Sequence, residues 1–61
     1  MEKTLRMMKA LADASRLSIM HSLLDKPQYV EELAQRLGLS APTISFHLKC
    51  LETANLVEKE K

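Results

Sequence analysis

The sequence predicts a mainly α domain of four short helices, and three observations carry that prediction. Apolar residues recur at three- and four-residue intervals, the spacing of one helix face. The breaks are few: one glycine and two prolines punctuate 61 residues, so each is informative. Residues suited to starting or stopping a helix stand between the apolar runs: Asp13, Pro27, Gly38, Ser40 and Asn55. Short β segments are expected at most near residues 28–30 and 56–61.

The first helix is expected from about Glu2 to Ala12, with Leu5, Met8, Leu11 and Ala12 on its apolar face and Met7 beside it. Asp13 is a good N-cap for a second helix from about Ala14 to Leu24. Arg16 stands where Glu or Gln would complete a capping box, so that box is absent. This helix is expected to bury Leu17, Met20, Leu23 and Leu24, with Ile19 flanking. Asp25-Lys26-Pro27 breaks the pattern, because proline lacks an amide donor and restricts the residue before it. Gln28-Tyr29-Val30 is short and β-prone.

The third helix is the clearest. Val30, Leu33, Ala34 and Leu37 fall at i, i+3, i+4 and i+7. Glu31 and Glu32 lie in its first turn, where negative charge suits the helix dipole. Gly38 ends it, since glycine reaches the left-handed conformation cheaply. Ser40 caps the fourth helix, and Pro42 stands in its first turn, where a missing donor costs nothing. That helix is expected to run to about Ala54, with Asn55 as its left-handed stop. Leu56 to Lys61 leaves helical spacing and reads as the start of a strand with nothing to pair with. The chain is therefore expected to be a single domain over residues 1–61, a piece of something longer.

Composition narrows the function. Hydrophobic residues make up 46% of the chain, enough for a small core and too many for disorder. No apolar run approaches the length of a membrane span, and the N-terminus lacks the apolar stretch of a secretory signal. One cysteine, Cys50, forms no internal disulfide and points to the cytoplasm. The net charge is only +1, and from Ser40 onward Lys49, Lys59 and Lys61 are matched by Glu52, Glu58 and Glu60. Nucleic-acid binders usually carry a basic surplus, so any such reading rests on organisation.

That organisation lies between Val30 and Ala54. A three-residue link, Gly38-Leu39-Ser40, joins the third and fourth helices, with the length and composition of a helix-turn-helix turn. Small Ala34 lets the helices approach, Gly38 reverses the chain, Leu39 fills the angle and Ile44 pins the second helix to the first. On the fourth helix Ile44, Leu48 and Leu51 share a core-facing stripe. Pro42, Phe46, Lys49 and Thr53 face away, with Thr43 and Ser45 beside them. No acidic residue precedes Glu52 on this helix. Small hydroxyls, one lysine and an aromatic edge, free of carboxylates, suit a helix lying in a DNA major groove.

The chain here resembles a family. "MKALADASRLSIMHSLL" followed by "VEELAQRLGLSAPTISFHLKCLETANLVEKEK" is similar to the winged helix-turn-helix domain of ArsR-type bacterial transcriptional regulators. The carrying pieces are Lys9-Ala10-Leu11-Ala12-Asp13 with Arg16-Leu17, then Glu32-Leu33-Ala34, Leu37-Gly38-Leu39-Ser40, and Ser45-Phe46-His47-Leu48-Lys49 with Leu51. The resemblance covers about Met7 to Glu58. It implies a winged-helix fold, a dimeric repressor or activator, a fourth helix that reads double-stranded DNA, and a wing and a C-terminal dimerisation helix beyond Lys61. By resemblance Ser40, Thr43, Ser45 and His47 match positions that often touch DNA. Phe46 stands where members often have a second histidine, and Asn55 where glycine is usual.

The expected sites follow. Ser40, Thr43 and Lys49 are to anchor the DNA backbone, with His47 as a further phosphate contact, while Pro42, Ser45 and Phe46 face the bases. Asp13 and Arg16 are read as a pair tying two helix ends. No cofactor or metal is expected: His47 and Cys50 are two ligands, which do not close a four-coordinate site. No enzyme is expected, since there is no glycine-rich phosphate loop and Ser45 and His47 point different ways. No membrane partner is expected. A homodimer is expected of the full-length protein, weak or absent in this piece. The alternatives are a winged-helix module that binds protein, and a regulatory domain fused to a larger ligand-binding or enzymatic chain.

Overall fold

A computed structural model describes residues 1–58. Its helices are α1 (Glu2–Ala10), α2 (Ala14–Asp25), α3 (Val30–Leu37) and α4 (Ala41–Thr53). Helix α4 packs against each of the other three, and α2 also packs on α3. The largest fully buried side chains are Ile19 from α2, Leu33 from α3, and Ile44 and Leu51 from α4. Ala10 and Ala54 complete the buried apolar set. Burying a side chain of the Ile or Leu class contributes about 1.5–3 kcal/mol, so these four dominate a core this small.

The helix ends follow from local chemistry. The Asp13 carboxylate accepts the Arg16 amide N–H at 3.1 Å and caps α2. Only the amide is used in that tie, which lies within the first turn of α2; the pairing across two helix ends expected of Asp13 and Arg16 is not what forms. At the start of α3 the Glu32 carboxylate accepts the Tyr29 N–H at 2.8 Å, one half of a capping box. Gly38 closes α3 in the left-handed region (φ 69°, ψ 31°), and the Leu39 N–H reaches back to the Ala34 carbonyl at 3.0 Å. Asn55 (φ 59°) does the same for α4, with the Leu56 N–H on the Leu51 carbonyl at 2.9 Å. Both left-handed stops stand where the sequence places them.

Four expectations need correction. Leu5 and Met8 are 50% and 65% exposed, and Ala12 is exposed too; α1 meets the core through Ala10, with Met7 and Leu11 half-buried. In α2, Leu17 and Leu24 are exposed while Ile19, expected only to flank, is fully buried. Helix α1 stops at Ala10 because the chain must turn within three residues to set Asp13 in the extended conformation its cap needs. Finally, no strand lies among the described residues. Val30 is the first residue of α3, and Leu56 and Val57 form a bend that packs against the core. The rest of the expected 56–61 segment, residues 59–61, lies outside the described residues.

The link between α2 and α3 is held by side chains. Buried Ser22 places its Oγ 3.0 Å from both Gln28 Nε2 and Arg36 Nη1, each donating to it. Gln28 Nε2 also donates to the Ser22 carbonyl at 2.7 Å, and Arg36 donates to Gln28 Oε1 at 3.3 Å. These bonds fix the Gln28 side chain on the end of α2. They also satisfy Ser22, the one buried polar residue among those described, which left unpaired would cost about 1–3 kcal/mol.

Candidate nucleic-acid interface

The turn from α3 into α4 fixes everything that follows on α4. Leu39 is half-buried against the core, and Ile44 is fully buried beneath it. With that face committed, the opposite face of α4 is presented outward. Ser40, Pro42, Thr43, Ser45, Phe46 and Lys49 are all exposed, as the helical spacing predicts. No carboxylate interrupts them; Glu52 is the first on the helix and is half-buried.

Hydrogen bonding sorts the hydroxyls. Ser40 Oγ accepts the Thr43 N–H at 3.3 Å and donates to Thr43 Oγ1 at 2.8 Å. The bond between the two hydroxyls uses one of their two protons, so the pair as a whole keeps one for an outside acceptor. Thr53 is occupied too, its Oγ1 donating to the Lys49 carbonyl at 2.9 Å. The Ser40–Thr43 pair and Ser45 therefore carry the available hydroxyl donors on the outer face.

Phe46 is 62% exposed. Its ring meets the His47 ring edge-on, with centroids 5.5 Å apart and planes at 61°. His47 is half-buried, and its Nδ1 is buried without a hydrogen-bond partner. That nitrogen is not the one that reaches a partner molecule. Ser45 and His47 form no hydrogen bond, and among the described residues no three His, Cys, Asp or Glu side chains group to hold a metal ion.

Three cations absent from the expected site stand beside it. Arg6 and Lys9 of α1 and Arg16 of α2 line a shallow groove with Phe46, Lys49 and Cys50 of α4. The sequence shows Arg6 and Lys9 one turn apart on one helix, a signal that gains meaning only once α1 is laid against α4.

Comparison with known proteins gives a consistent result. The family described as "Bacterial regulatory protein, arsR family" matches residues 13–59. The chain is 42% identical over 53 residues to the HTH-type transcriptional regulator KmtR of Mycobacterium tuberculosis, covering 87% of this chain and 41% of that protein. It is 48% identical over 52 residues to the HTH-type transcriptional regulator Rv2034 of the same species, covering 85% and 49%. It is 41% identical over 59 residues to the transcriptional activator HlyU of Vibrio cholerae, covering 97% and 55%. The chain thus spans about half the length of these curated relatives. No solved structure matches it.

Proposed function

The chain belongs to the ArsR family of bacterial regulatory proteins, and from that premise we propose that it is the DNA-binding domain of a transcriptional regulator, with α4 lying in the major groove. One observation carries this reading. The N-terminal half of α4 presents Pro42, Thr43, Ser45 and Phe46 outward, followed by Lys49, on a helix whose opposite face is locked by Ile44 and Leu51. In helix-turn-helix proteins this end of the second helix reads base edges.

Roles follow from the hydrogen bonds. Thr43 and Lys49 hold phosphates, which position the helix. Pro42, Ser45 and Phe46 face the bases, the phenyl edge suiting a thymine methyl. Ser40, tied to Thr43 hydroxyl to hydroxyl, orients it and shares the phosphate contact. His47 steadies the Phe46 ring from the side, and any phosphate contact it makes runs through its other nitrogen. The reading assigns no catalysis; the relatives are named as transcriptional regulators. Among the described residues no helix is long and apolar enough to cross a membrane, and a DNA partner in a bacterium puts the protein in the cytoplasm. The regulator of which this domain is part acts as a dimer on two half-sites. The 61-residue chain itself, whose α1 offers only a small apolar stripe, dimerises weakly or not at all.

Selection from random duplexes at two salt concentrations, with the natural full-length protein, tests the reading. An inverted-repeat consensus that is lost at high salt is expected. Failure to recover any consensus overturns it. Ser45→Glu, which sets a carboxylate on the exposed face, is expected to lower affinity for the selected site at least about tenfold, the scale of one good base contact. Unchanged affinity would remove Ser45 from the interface.

A further inference from the structure

The outer stripe of α4 continues past its N-terminal half into a groove. Phe46, Lys49 and Cys50 form one wall, and Arg6, Lys9 and Arg16 form the other; the volume is about 570 Å³. Among the described residues four cations line it, and no carboxylate does. That is a segregation of charge in a chain whose net charge is +1. Its neutrality comes from acids placed elsewhere, such as Glu31 and Glu32 at the start of α3 and Asp25 near Arg36.

The state of each cation supports a ligand of opposite sign. Lys9 and Lys49 are exposed. Arg6 meets Glu2 at 3.4 Å, but both side chains are well exposed, and such a pair holds weakly against a competing anion. Arg16 is half-buried, and its Nε is buried with no hydrogen-bond partner among the described residues. That nitrogen, like His47 Nδ1, does not itself meet an outside molecule, so any phosphate contact from Arg16 runs through its terminal Nη nitrogens. A guanidinium is suited to phosphate. Lys49 belongs to both surfaces, so the groove is continuous with the face that enters the DNA.

We propose that this groove is a backbone clamp, in which Arg6, Lys9 and Arg16, together with Lys49, take successive phosphates of the same duplex that α4 reads. The clamp rests on the DNA-binding reading above. It contributes affinity and register and reads no sequence. It resolves the charge puzzle as well: a nearly neutral domain holds DNA because its cations gather on one side.

Salt dependence tests the clamp. Each phosphate contact contributes about 0.9 to the slope of log affinity against log salt. The Arg6→Gln, Lys9→Gln double variant is therefore expected to lower that slope by about 1.8 per protomer, or about 3.6 for a dimer on two half-sites. Between about 50 and 200 mM salt the unsubstituted protein should lose roughly tenfold more affinity than the variant for each protomer bound, on the order of a hundredfold for the dimer. Both residues are exposed, and circular dichroism checks that the fold is intact. Lys3→Gln is the control, a cation of α1 that does not line the groove. The measurement is fluorescence anisotropy of a labelled duplex from the selection. A reduced slope with unchanged base preference, and a Lys3→Gln slope equal to that of the parent, supports the clamp. If the parent binds and the double variant keeps its slope, or Lys3→Gln lowers the slope as much per charge, the clamp is overturned while the role of α4 stands. If the parent binds no duplex at either salt, both readings fall together.

Discussion

In α3 and α4 every fully buried residue is one that helical spacing picks out: Leu33, Ile44 and Leu51. In α1 and α2 the residues picked out include Leu5, Met8, Leu17 and Leu24, all exposed by half or more, while Ala10 and Ile19 take the core. The difference lies in how many faces the apolar residues offer. Around α3 they form one stripe. Around α2, at about 100° per residue, Ile19, Leu23 and Met20 share one arc, and Leu24 and Leu17 extend it toward solvent. Such a helix has more than one plausible inner face, and packing chooses. The turn chemistry differs as well. Gly38 and Ser40 lock α4 onto α3 at one angle, whereas residues 11–13 leave the orientation of α1 to its contacts with α4.

The largest expected effect breaks the better-determined half. Ile44→Ala empties a fully buried position and should cost about 2–5 kcal/mol. A domain of this size is stable by roughly 3–9 kcal/mol, at about 0.05–0.15 per residue, so much of it should unfold at modest urea. A midpoint close to that of the parent would mean that Ile44 is not the pin between α3 and α4.

Gly38→Ala comes next. A Cβ at Gly38 meets nothing within 4 Å, so the cost is that of the left-handed backbone alone, about 1–2 kcal/mol. The matching change at the other left-handed stop, Asn55→Gly, should be neutral or stabilising by less than about 1 kcal/mol. Thermal melts of the two variants that moved in the same direction would refute a left-handed requirement at these ends.

Cap removal is smaller and sharpens the comparison between halves. Ser40→Ala and Asp13→Ala each delete a side chain that accepts a first-turn amide, and each should cost about 1 kcal/mol. Equal losses by urea titration would show that both halves depend on their caps alike, although they differ in packing. A negligible loss for Asp13→Ala alone would place the order of α2 in its tertiary contacts. The smallest effect belongs to Leu24→Ala. At 80% exposure Leu24 should change stability by less than about 0.5 kcal/mol. A loss near that of Ile44→Ala would show that Leu24 is covered in solution.

What the sequence determined by itself is whatever rests on local chemistry. The four helices, the caps at Asp13 and Ser40, the left-handed stops at Gly38 and Asn55, and the outward face of α4 depend on interactions within a few residues, and all are legible from spacing and residue type. Tertiary structure decided the rest. It chose Ile19 over Leu17 and Leu24, drew Gln28 and Arg36 onto Ser22 in place of a β segment, and set Arg6, Lys9 and Arg16 beside Lys49. Each of those outcomes joins groups on different segments of the chain. Their energies depend on which helix faces meet, and the pattern of one helix holds no information about the surface of another.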